Sequence, residues 1–142
     1  VENPLNVGVS WLIELENKNK EKWKCFLVDK YRSRLLCFVL TSEIHLDNRA
    51  RVVYETWGQR CGKFLFIGRF NSTNIQKNFP HLPIENVPNL PHENYSNLPE
   101  KVRQTLLHFN RFHSDYDWYL KADDDTFIIV ENLLRFLISK LK

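Results

Sequence analysis

From residue 34 onward the chain alternates between short apolar blocks and amphipathic stripes. Arg34 to Thr41 holds an unbroken run, Leu35-Leu36-Cys37-Phe38-Val39-Leu40, which predicts a strand buried on both faces. Leu46, Ala50, Val53, Tyr54 and Trp57 then recur at helical spacing, with Arg49, Arg51 and Glu55 facing outward. Asp47 suits the N-cap of that helix and Gly58 its end. Lys63 to Gly68 is a second buried strand, so the first third of the fold reads as a βαβ unit with a right-handed crossover. Residues 69–96, rich in proline and asparagine, read as one long loop. A helix follows from Asn97, where Asn97 and Glu100 make a capping-box pattern and Pro99 suits the first turn. Leu98, Val102, Leu106, Phe109 and His113 would line one face of it. Trp118 to Ala122 is a third strand, Phe127 to Val130 returns to strand-like composition, and 131–142 is a helix with Leu133, Leu134, Leu137, Ile138 and Leu141 on one side. That helix meets the chain end with no terminator, which predicts a chain cut short of its fold. The class is α/β.

Between the last two apolar blocks stand Asp123, Asp124 and Asp125. Three adjacent carboxylates repel one another and form strand poorly, so they belong where a strand ends, at the carboxyl edge of a sheet. A hard divalent ion, Mg²⁺ or Mn²⁺, relieves the repulsion and keeps positions open for water and substrate phosphates. The chemistry this suggests is a metal–diphosphate platform. Two other readings fit the same residues. One is an acidic corner in which a carboxylate caps the next helix. The other is a phosphatase-type nucleophile, Asp123-x-Asp125, which the immediate return to strand-like sequence disfavours.

Composition changes this picture little. A chain of 142 residues with 43% hydrophobic residues can bury one core, and a net charge of +3 is too small to imply nucleic-acid binding. No apolar run is long enough for a membrane helix, and residues 1–15 lack the basic start and apolar block of a secretory leader. Residues 1–33 are set apart by Lys18, Lys20, Lys22, Lys24, Lys30 and Arg32, as a linker arm or a solvated tail; residues 34–142 form the domain. Asn71 and Asn94 open glycosylation sequons. Of Cys25, Cys37 and Cys61, the last two lie on or beside neighbouring strands; a bridge between them and three reduced thiols both fit the residues alone.

Three stretches resemble one family: Arg34 to Thr41, Glu55-Thr-Trp-Gly-Gln-Arg-Cys61, and above all Asp117 to Leu133, which sets the aspartate triplet in characteristic flanks. The chain resembles the core 1 β1,3-galactosyltransferases of the fringe-like glycosyltransferase family 31, from Arg34 to its end. The resemblance implies the Rossmann-like nucleotide-sugar half of a GT-A fold, in a type II Golgi membrane protein whose catalytic domain is lumenal. It implies inverting transfer of galactose from UDP-galactose, with Mn²⁺, to O3 of GalNAc on Ser or Thr of a glycoprotein acceptor. Asp123 and Asp125 map onto the metal ligands, and Asp123 and Asp124 also face the donor. Leu40 and Thr41 map near the uridine. Glu93, Asn94, Tyr95 and Lys101 map onto a further donor-binding segment, and Cys37 and Cys61 onto a disulfide.

The sequence departs from the family at two places. Tyr95 replaces an arginine expected to meet the diphosphate, and Pro99 replaces a tryptophan. The catalytic base, a further metal-ligating histidine and the acceptor site would lie beyond residue 142, so no catalytic residue is assigned. The alternative function is a non-catalytic relative acting as folding partner or binding module. A homodimer and a folding chaperone are the partners the family brings besides donor and acceptor.

Overall fold

The structure, a computed structural model, describes residues 26–141. Its centre is strand β1, Leu35–Leu40, all six residues of which are buried. Because side chains alternate along a strand, Leu35, Cys37 and Val39 enter one core and Leu36, Phe38 and Leu40 the other. Strands β2 (Lys63–Ile67) and β4 (Trp118–Asp123) pair with β1 on either side, and the short β3 (Ile84–Glu85) pairs with β2. All pairs are parallel and the order is β3-β2-β1-β4.

A parallel sheet needs cover on both faces. One face packs against helix α1 (26–32), helix α2 (Arg51–Thr56) and helix α5 (Val130–Ser139), through Val28, Val53, Trp57, Val130 and Leu134. The other packs against helix α4 (Leu98–Phe112), chiefly through Phe109, whose ring meets Phe38 edge-on at 5.1 Å. The arm expected at 1–33 lies outside the described residues up to position 25; its remainder is α1 and the turn after it, and Val28 sits in the core. Gly62 lets that turn close on the sheet: a Cβ there would stand 2.1 Å from the Arg32 carbonyl oxygen.

The Leu46, Ala50, Val53, Trp57 stripe is buried as the spacing predicts. It is not one α-helix, however. A 3₁₀ turn (Glu43–His45) leads into a π-helical turn (Leu46–Ala50), and only then comes α2. His45 therefore takes the N-cap position expected for Asp47, whose carboxylate instead pairs with Arg51 at 3.2 Å. Cys37 and Cys61 are bridged, with Cα atoms 6.2 Å apart, while Cys25 lies outside the described residues.

Three further expectations are corrected. The stretch 69–96 is not loop throughout: it holds β3 and helix α3 (Ser72–Asn78), capped by the Asn71 side chain, which accepts from the Thr73 and Asn74 N–H groups. The capping box before α4 does not form. Asn97 donates to the His92 carbonyl, and Glu100 binds Arg103 and Gln104. Of the expected face of α4, Leu98, Val102 and Phe109 pack on the core, but its most buried line is Lys101, Thr105 and Phe109, and Leu106 faces solvent. Finally, Phe127 to Val130 is no strand: residues 126–129 run unpaired, Ile129 is the N-cap and Val130 opens α5, which ends at Ser139 rather than Lys142.

Candidate functional site

The register of β1 against β4 sets the site. At the amino edge Arg34 clamps Asp117 with two bonds of 2.9 and 2.7 Å, raising the arginine and holding the Asp117 carboxyl below its usual value. Six residues on, Leu40 stands opposite Asp123, so the end of β1 and the aspartate triplet arrive at the same carboxyl edge.

Thr41 is the hub there. Its hydroxyl donates to Asp124 Oδ2 at 2.7 Å, its N–H bonds the Ile67 carbonyl, and its own carbonyl oxygen accepts from Lys101 Nζ at 3.4 Å. Gly68 makes room for this crowding, since a Cβ at that position would lie 2.4 Å from the Thr41 oxygen. Lys101, although buried, is satisfied: Glu93 gives it two carboxylate contacts of 2.9 and 2.8 Å. Glu93 also accepts from the Arg69 N–H. Lys101, on the buried side of α4, is thus the residue that ties Glu93 to the end of β1.

The three aspartates differ in environment. Asp124 is mostly buried, held by Thr41 and, at 3.3 Å, by Arg49. Arg49 faces outward as expected, 48% exposed, and from there its guanidinium reaches Asp124; that long-range contact is what sequence reasoning missed, because residue spacing carries no sign of it. Asp123 is exposed and meets Lys121 at 2.5 Å. Asp125 is exposed, with no polar partner among the described residues. The corner itself is closed by Thr126 N–H bonding the Asp123 carbonyl, and Trp57 Nε1 donates to the Thr126 carbonyl at 2.9 Å. Just beyond it, Glu131 in the first turn of α5 meets Arg32 and Arg60. Burial acts to raise the Glu131 carboxyl, but its own backbone N–H, Arg60 and Arg32 outweigh that and hold it below the ordinary value.

Of the residues singled out in the sequence, Leu40, Thr41, Glu93, Lys101, Asp123 and Asp124 come together at this edge. Tyr95 faces solvent, 87% exposed. Asn94 is spent locally, its side chain accepting from the Ser96 N–H. Both sequon asparagines are exposed. The donor chemistry at the corner, two exposed carboxylates with no nitrogen or sulfur ligand, fits a hard cation that keeps most of its shell for water and phosphate. The three aspartates do not close into a cage. Among the described residues, the group of three whose ligand atoms all lie within 4.8 Å of one another is Glu85, His108 and His113.

A parallel α/β sheet with its polar cluster at the carboxyl edge of the central strands is the Rossmann-like fold of glycosyltransferases. The model of the Fringe-like family matches residues 32–140, and the chain belongs to that family. It is similar to glycoprotein-N-acetylgalactosamine 3-beta-galactosyltransferase 1 of Xenopus laevis, with 27% identity over 110 residues, covering 75% of this chain and 27% of the relative. The chain therefore spans well under half the length of the curated relative it matches.

Proposed function

We propose that this chain is the donor-binding part of a galactosyltransferase that moves galactose from UDP-galactose to O3 of GalNAc on Ser or Thr of glycoproteins, with inversion and with Mn²⁺. The name of the frog relative supports the acceptor and linkage. The observation that carries the donor site is the convergence of Thr41, Lys101 with Glu93, and the aspartate triplet on one sheet edge.

In this reading Asp123 and Asp125 hold the metal, because their carboxylates face solvent while Asp124 is occupied by Thr41 and Arg49. When bound, the ion supplies the positive charge that offsets the departing diphosphate. Leu40 and Thr41 end β1 where the uridine would lie. Arg49 offers a planar guanidinium to the diphosphate, the role for which the family uses the arginine that Tyr95 replaces. Glu93 and Lys101 neutralise each other and brace Thr41; neither is free to take a proton from an acceptor hydroxyl. Action in the Golgi lumen suits the Cys37–Cys61 bridge.

A second reading, a non-catalytic relative serving as folding partner or binding module, draws support from Tyr95, which stands where the family's arginine would, while Lys101 of the same segment is paired with Glu93. Calorimetry of UDP with and without Mn²⁺, on wild type and Asp125→Asn, separates the two. The donor-site reading expects Mn²⁺ to tighten UDP binding to the wild type by at least about tenfold, or about 1.4 kcal/mol, and the variant to lose that gain. Equal affinity in all four conditions would overturn it and leave the non-catalytic reading standing.

A further inference from the structure

We infer that Glu85, His108 and His113 form a second metal site, built for Zn²⁺ and separate from the aspartate corner. His108 Nε2 lies 2.6 Å from Glu85 Oε1, and His113 Nε2 lies 2.8 and 2.9 Å from the two oxygens of the same carboxylate. Both rings thus present the same nitrogen to one point.

The chain goes out of its way to make this meeting. Glu85 ends the edge strand β3, and His108 sits in the last turns of α4. His113 is five residues further, a spacing that would point it to a different side of a continuous helix. It leaves the helix instead, as the C-cap, with φ −136° and ψ 38°. Its backbone is fixed there from two sides: its N–H bonds the Phe109 carbonyl at 2.8 Å, and its carbonyl accepts from the Tyr119 hydroxyl at 2.5 Å. Among the described residues His108 Nδ1 is buried without a partner, so the polar anchor of that ring is whatever holds Nε2.

Two imidazoles and a carboxylate are a zinc ligand set, three protein donors with a fourth position open. The side chains are 11%, 13% and 22% exposed, shielded yet reachable. A groove of about 210 Å³, bordered by Val87, Gln104, Leu107 and His108, reaches the His108 member from solvent. The nitrogen–oxygen distances are shorter than the roughly 3.3 Å edge of a zinc tetrahedron with bonds near 2.05 Å, so a small outward turn of the rings admits the ion. With 1.5 Å of rise per residue, His108 lies about 10 Å along α4 from Lys101, and the bound ion would not share ligands with the aspartates. It would tie the sheet edge to the end of α4.

Cobalt substitution tests this on the 142-residue chain. The expected result is one tetrahedral Co²⁺ per chain, its intense visible bands those of a nitrogen–oxygen site, retained in Asp125→Asn and lost in His113→Gln whatever further Co²⁺ the aspartate corner takes up. Zinc affinity, measured by chelator competition, should fall in His113→Gln and in Glu85→Gln by at least the roughly 10–100-fold that loss of an outer-shell partner costs. Zinc should also raise the Tm of wild type and Asp125→Asn but of neither trio variant, and circular dichroism confirms that each variant is folded. Two variants guard against one that does not fold. Wild type without tetrahedral bands, bands that survive in a folded trio variant, or bands lost in Asp125→Asn would each overturn the assignment.

Discussion

The aspartate corner and the Glu85–His108–His113 cluster are both polar groups at the margin of one sheet, built on opposite principles. The corner takes three consecutive residues, and two of its carboxylates stand in water. The cluster takes residues from a strand, a helix and a helix cap, and its side chains are mostly buried. Exposed like charges have little to lose when one is neutralised. Buried polar groups that satisfy one another have much to lose when a member goes, because the remainder cannot return to water. The first arrangement waits for a ligand; the second contributes to the fold before any ligand arrives.

Urea unfolding in EDTA, which removes any metal contribution, can break or sharpen this contrast. Glu85→Leu strips both imidazoles of their acceptor and should cost about 3 kcal/mol. Thr41→Val should cost about 1.5 kcal/mol, since Asp124 is the one member of the triplet that is mostly buried and it loses a 2.7 Å bond from the threonine hydroxyl. Asp125→Asn should change stability by less than about 0.5 kcal/mol in either direction. The contrast collapses if Glu85→Leu costs no more than Asp125→Asn.

The same difference explains what could be read from the chain. The triplet is contiguous, and its strand-end position follows from mutual repulsion after an apolar run, so the corner was legible. So were β1, β2 and the Leu46–Trp57 stripe, whose burial is written as apolar spacing. The Cys37–Cys61 bridge needed the family resemblance, because strand proximity alone leaves reduced thiols equally open. The face of α4 was read in part: Leu98, Val102 and Phe109 pack on the core as their spacing suggests, but Lys101 and Thr105 are buried polar residues, satisfied by Glu93 and by the helix's own Lys101 carbonyl, and apolar periodicity cannot report them. Helix α3 hides among prolines and asparagines because its start depends on a cap, Asn71, rather than on a hydrophobic stripe. Phe127 to Val130 has strand composition, yet among the described residues no strand pairs with it. The histidine cluster has no local signature, since it exists only once α4 ends at His113 and β3 lies beside it.

The indole of Trp57 limits the corner's freedom. It is almost wholly buried, packs edge-on against Phe64 at 5.4 Å, and donates to the Thr126 carbonyl just past the triplet. Ordering one residue's backbone costs about 1–2 kcal/mol, and a loose acidic loop would charge that to every ligand it closed upon. Here the main chain of the turn is fastened to the core in advance. If the corner is the donor site proposed above, an incoming ion and its phosphates would meet a backbone already set, and the entropy they must remove would be confined to the rotamers of Asp123 and Asp125.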